Sequence, residues 1–130
     1  MSLEEKRKLK ELRETTFPER TKELLEITGS PVVYDVDWAS FANDLEGLTF
    51  LDNLSCHRTN MALRVICSDA VGKDAVKEGL KTIKLRNVKQ KSDMKIAFAG
   101  GVLEMHCAYA QKTDGMFGDG EIRKVLSDGL

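Results

Sequence analysis

Two successive glycines, Gly100 and Gly101, separate segments 94–99 and 102–110, in both of which apolar and polar residues alternate. Glycine reaches positive φ without a Cβ clash, and the centre of a two-residue hairpin turn requires it. Such a turn pairs Ala99 with Val102, Phe98 with Leu103, Ala97 with Glu104, Ile96 with Met105, Lys95 with His106 and Met94 with Cys107. Strand side chains alternate with period two, so Met94, Ile96, Phe98, Leu103, Met105, Cys107 and Tyr109 gather on one face. The reverse face receives Lys95, Ala97, Ala99, Glu104, His106, Ala108 and Ala110. A slip of one residue would mix the two sets and bury charge. The expectation is a dry Met105 and a wet His106. The adjacent His106 and Cys107 then point to opposite sides and cannot act as base and nucleophile together.

Upstream, segment 82–88 follows the same scheme, with Ile83 and Leu85 inward and Lys84 and Arg86 outward. Segment 61–67 (MALRVIC), β-branched at its centre, reads as a further strand feeding a helix capped by Ser68-Asp69, with Val71, Ala75, Val76 and Leu80 at helical spacing. Val32 to Val36 reads as a short β stretch after Pro31. Asp37 then caps a helix whose apolar side is Trp38, Phe41, Ala42 and Leu45 and which stops at Gly47. Segment 48–60 suits a short helix.

At the N-terminus, Ser2 and Glu5 form a capping box for a helix over 3–15, whose few apolar positions (Leu3, Leu9, Leu12) do not fill a face. Thr16-Phe-Pro-Glu19 repeats the capping pattern and opens a second helix over 18–28, ending at Gly29, with Leu24, Leu25 and Ile27 inward. A glycine-rich loop over 114–120 leads to a last helix over 121–127.

At 130 residues the chain has the usual length of one domain. One α+β domain is expected, with helices on one side of a mostly antiparallel sheet of four to five strands and an N-terminal helical extension. It divides into helices over 1–28, sheet and covering helices over 31–110, and loop and helix over 111–130. Three cysteines, Cys56, Cys67 and Cys107, cannot all pair within one chain and form no C-x-x-C motif, which points to reduced thiols in a cytoplasmic protein. Neither a signal-peptide core nor a membrane-length apolar run is indicated. The net charge of −1 gives no overall attraction to nucleic acid or anionic membranes. Charge is segregated, however. Five acids and no lysine or arginine lie between Asp35 and Asp52, whereas seven bases against two acids lie between Lys77 and Lys95. That basic segment lacks aromatic residues for base stacking, so a nucleic-acid role is a distant alternative, and the two segments suit each other as well as any outside anion.

Catalytic and cofactor motifs are weak. His57, Glu104 and His106 would make a metal triad only if the fold brought His57 over the sheet. Residues 67–74 (CSDAVGKD) depart from the phosphate loop at both ends, and they place Lys73 where a C-x5-R phosphatase carries arginine, so Cys67 reads as a buried structural thiol. No cofactor and no metal are assigned. The candidate binding residues are Lys84, Arg86, Lys95, Glu104 and His106 on the outer sheet face, together with Met116 and Phe117 in the glycine-rich loop. The expected function is a small non-enzymatic binding module for a protein partner or for self-association. The competing expectation is an enzyme or small-ligand binder using Glu104 and His106 as acid and base, with the basic residues holding an anion.

Overall fold

The computed structural model describes all residues, 1–130. The chain contains two long helical stretches, each interrupted by a wider turn, and the first of them opens it. In the first, α1 (Leu3–Glu11) and α2 (Phe17–Thr28) are joined without a break by a π-helical turn over Leu12–Thr16. Pro18 explains it. Proline has no N–H to give to the carbonyl four residues earlier and its ring crowds that carbonyl, so the helix widens by one residue just before it. Phe17 N–H accordingly reaches back to the Leu12 carbonyl. Thr16 is thus helical and makes no cap, contrary to the separate second helix read from its pattern. Ser2 does cap α1, accepting from Glu5 N–H at 3.2 Å, and Gly29 ends α2 at φ 68°.

The N-terminal stretch does not project from the domain: Leu12, Phe17 and Leu24 all join the main core. Leu25, expected inward, is exposed, because the buried line runs through Phe17, Leu24 and Thr28.

β1 (Val33–Val36) follows, and then the chain turns through a 3-10 segment, Trp38–Phe41, rather than a full helix. Only Phe41 of that segment is buried, and Trp38 packs edge-on against Phe17. Asp44, not Asp37, caps the next helix. Its Oδ1 accepts from Gly47 N–H at 2.8 Å, so the glycine expected to stop a helix sits in the first turn of α3 (Leu45–Leu51). A second π turn, Asp52–Cys56, joins α3 directly to α4 (His57–Ile66). Segment 61–67, expected as a strand, is therefore helix. Its apolar run is short enough to fit either form, and the tertiary core decides: Ala62 and Leu63 are fully buried as successive residues on the inner side of α4. Asp69 caps α5 (Ala70–Gly79), of which only Val76 is buried, while Val71 stands exposed.

The sheet contains β1, β2 (Thr82–Asn87), β3 (Lys95–Ala99) and β4 (Val102–Cys107) in the order β1-β2-β4-β3. The hairpin register is the expected one, from Ala99 opposite Val102 to Lys95 opposite His106. Both turn glycines have positive φ, 60° and 81°. The topology differs from the expectation. β2 pairs with β1 and β4, and both pairings are parallel, so the sheet is mixed and mostly parallel rather than mostly antiparallel. Alternation says which face a residue takes and nothing about which strand lies beside it. The most apolar inner residues take the centre: Ile83, Leu85, Leu103, Met105 and Cys107 are all at most 1% exposed. Inner residues of the edge strands, such as Tyr34 and Ile96, are only half-buried against that core. The Gly101 carbonyl, accepting from Lys81 and Thr82 N–H at 2.8 and 3.1 Å, pins the start of β2 beside the hairpin turn.

After Cys107 the strand ends earlier than expected, in a 3-10 segment, Tyr109–Gly115. Alternation stops there, and Ala108 and Tyr109 are both fully buried, so Ala108 does not belong to the outer face. α6 (Asp119–Gly129) closes the fold, with Ile122 and Leu126 in the core.

A Met105→Ala substitution is expected to cost about 2–5 kcal/mol, as for other large-to-small changes in a packed core, and His106→Ala about 1 kcal/mol or less. Urea denaturation midpoints measure both.

Candidate functional site

The outer face of the sheet carries no helix. Because β1, β2 and β4 run parallel and β3 returns antiparallel, outward residues line up in rows across all four strands. The top row is Val33, Thr82, Val102 and Ala99. Next come Asp35, Lys84, Glu104 and Ala97. The third row contains Arg86, His106 and Lys95, with Asp37 just beyond the end of β1, its N–H bonded to the Leu85 carbonyl at 2.9 Å. All five sheet residues singled out in the sequence therefore share one surface. Met116 and Phe117 do not join them, being half-buried against the core beneath the sheet.

Sequence reasoning missed Asp35 and Asp37 as members of this face. Their strand was recognised, but its pairing with β2 was not, and only that pairing brings the acidic segment onto the basic one. The interleaving neutralises the basic run locally. Arg86 Nε lies 3.5 Å from Asp37 Oδ2, Lys95 Nζ 3.6 Å from Glu104 Oε1, and His106 Nε2 3.5 Å from Glu104 Oε2. The contacts to Arg86 and Lys95 are long and solvent-exposed, so each is worth about 1 kcal/mol or less. A shallow cavity of about 220 Å³ opens between Asp35, Asp37, Lys84, Arg86, Glu104 and His106. A second depression of about 310 Å³ lies over Lys84, Lys95, Ala97 and Ala99.

Partial burial would raise the Glu104 carboxyl, but His106 and then Lys95 beside it outweigh that effect and hold it below the usual glutamate value. A carboxylate lowered in this way is a poorer proton acceptor at neutral pH than one tuned upward.

His57 opens α4 in the helical layer, on the far side of the sheet from Glu104 and His106, so the three do not converge. No group of three or more His, Cys, Asp or Glu residues is placed to hold a metal ion. Burial raises all three thiols. Cys107, almost wholly removed from water, is pushed up to about 11. Cys56 lies well above its ordinary value and Cys67 is raised too. Cys67 is half-buried rather than buried and follows a helix rather than a strand.

A second polar cluster, not anticipated from sequence, lies between α2 and the α3–α4 helix. The Arg20 guanidinium grips Asp52 with two bonds, Nε to Oδ1 at 2.8 Å and Nη2 to Oδ2 at 3.0 Å. Glu23 accepts from Arg20 at 3.2 Å and from Asn60 Nδ2 at 2.8 Å, and Arg64 adds a contact at 3.1 Å. Tyr34 donates its hydroxyl hydrogen to Asn60 Oδ1. The π turn is what aims these groups: Asp52 faces Arg20, whereas Ser55 meets the Tyr109 hydroxyl on the other side. Each acid already has its base and the cluster offers no open cavity, so its role is to lock the two long helices. Burial would raise Glu23, yet the Asn60 hydrogen bond and the Arg20 and Arg64 charges bring it below the usual value.

Asp52→Ala is expected to lower stability by about 1–3 kcal/mol, since it leaves a half-buried guanidinium without its bidentate partner. A carboxyl-carbon NMR titration should find Glu104 with a midpoint below that of an unstructured glutamate. Because the folded value is the lower one, the Glu104 contribution to stability is complete above the ordinary glutamate range and fades as pH falls through the depressed value. Lys95→Met should move the midpoint upward. No helix is long and apolar enough to cross a membrane. Compared with known proteins, the chain matches no protein-family model, no curated protein and no solved structure.

Proposed function

We propose that this chain is a small non-enzymatic binding module that recognises a protein partner through the outer face of its sheet. The observation that carries the reading is the bare face itself: a four-stranded surface with three acids and three bases interleaved, small Ala97 and Ala99 at one side, and no enclosing wall. Small residues let another backbone approach, and alternating charge gives register and selectivity more than raw affinity. Deep substrate pockets bury most of a ligand, and a depression of about 220 Å³ open to solvent does not. Unpaired cysteines support a reducing, cytoplasmic setting.

The alternative of a small-ligand binder or enzyme rests on the Glu104–His106 contact beside Arg86. It is weaker, because the lowered Glu104 carboxyl moves away from the range useful for acid–base work at neutral pH. A nucleic-acid role is weaker again, since Asp35, Asp37 and Glu104 sit among the bases it would use.

Photo-crosslinking in cells tests the protein-binding reading by position. A crosslinkable residue at Ala97 should yield a discrete protein adduct that Arg86→Glu abolishes, and the same residue at exposed Val71, on α5, should not. Adducts from position 71 alone would refute it.

A further inference from the structure

We infer that the partner for which the outer face is built is a second copy of this chain, stacked face to face about a two-fold axis running along the strands between β2 and β4. This rests on the reading of that face as the recognition surface and names its occupant. The order and sign of the outward residues select this arrangement. An axis along the strands keeps each row in place and reverses its left-to-right order, so β1 of one copy lies over β3 of the other and β2 lies over β4. In the middle row Lys84 then meets Glu104 of the second copy, and Glu104 meets its Lys84. One row on, Asp37 meets Lys95 of the second copy twice over, by symmetry, and Arg86 lies over the His106 ring. In the uncharged row Val33, a large apolar side chain left 47% exposed, comes over Ala99, and Thr82 over Val102.

The other in-plane two-fold, perpendicular to the strands, fails the same test. It keeps β1 over β1 and maps the middle row onto itself, setting Asp35 on Asp35, Lys84 on Lys84 and Glu104 on Glu104. Like charges opposed at an interface are costly, so the pattern selects one dimer geometry over the other. Stacked sheets normally incline their strands by about 30° at a spacing of about 10 Å, within the reach of lysine and arginine side chains. The surface is small. Four strands at about 4.8 Å and six residues at about 3.3 Å outline a footprint of about 380 Å², below the roughly 800 Å² per partner of a standard interface. The dimer is accordingly a weak, concentration-dependent one whose stability falls with salt.

Sedimentation equilibrium from about 10 µM to about 1 mM chain tests this, with circular dichroism to verify that every variant is folded; that range brackets weak association. The wild type should shift from monomer toward twice the chain mass as concentration rises. Asp37→Lys alone and Lys95→Asp alone should each remain monomeric, since each opposes like charges at both symmetric contacts. Mixing the two variants should restore dimer, and so should the double variant D37K/K95D. A wild type that stays monomeric at about 1 mM would overturn the stacking and leave the binding reading intact, provided Ala97 still crosslinks to a different protein. A dimer untouched by either single substitution would overturn the stacking and move the interface elsewhere. Failure of the folded pair to recover on mixing would also overturn it.

Discussion

Burial of one side of a four-stranded sheet beneath a layer of helices governs this molecule. Ile83, Leu85, Leu103, Met105 and Cys107 project from the two central strands into a core completed by Leu24, Leu48, Leu51, Leu63 and Leu126. At roughly 25 cal/mol for each Å² of apolar surface removed from water, such side chains dominate the energetics. The covered face is consequently unique in register, and its reverse is exposed by the same geometry. What the outer face presents is therefore decided by the odd-numbered or even-numbered neighbours of core residues, not by a separate folding requirement.

The helical layer owes its fit to two wide turns. One accommodates Pro18 without breaking the helix, so that Leu12 and Phe17 both reach the core. The other, Asp52–Cys56, supplies Asp52, Ser55 and the Cys56 carbonyl, three polar groups that meet different partners. Asp52 is held by Arg20, Ser55 by Tyr109, and the Cys56 carbonyl lies 3.4 Å from the Tyr34 hydroxyl. Buried polar groups with partners cost little and give orientation, whereas unpaired ones cost heavily. These contacts tie β1, the two long helices and the segment after β4 into one arrangement.

On the outer surface, pairing converts a charge-segregated sequence into a charge-compensated one. The acids of residues 35–37 and the bases of residues 84–95 are far apart along the chain, yet they meet because β1 lies beside β2. The result is a face with order and sign but almost no net charge.

The hairpin was legible from residues alone, since Gly100-Gly101 and the alternation around it specify both register and facing; Met105 is buried, and His106 faces outward but is wet only in part, its side chain 19% exposed. So were the Ser2 and Asp69 caps and the end of α2 at Gly29, all set by local backbone chemistry. Five of the candidate residues were also placed on one face by period-two reasoning. Strand neighbours, and with them the parallel pairings and the contribution of Asp35 and Asp37, were not legible, because alternation carries no information about which strand lies alongside. Segment 61–67 needed the core to choose helix over strand, since a short, mostly apolar segment interrupted only by Arg64 satisfies either. Local patterns thus determined facing and termini, whereas competition among strands for the most buried central positions decided adjacency, and through it the composition of the exposed face.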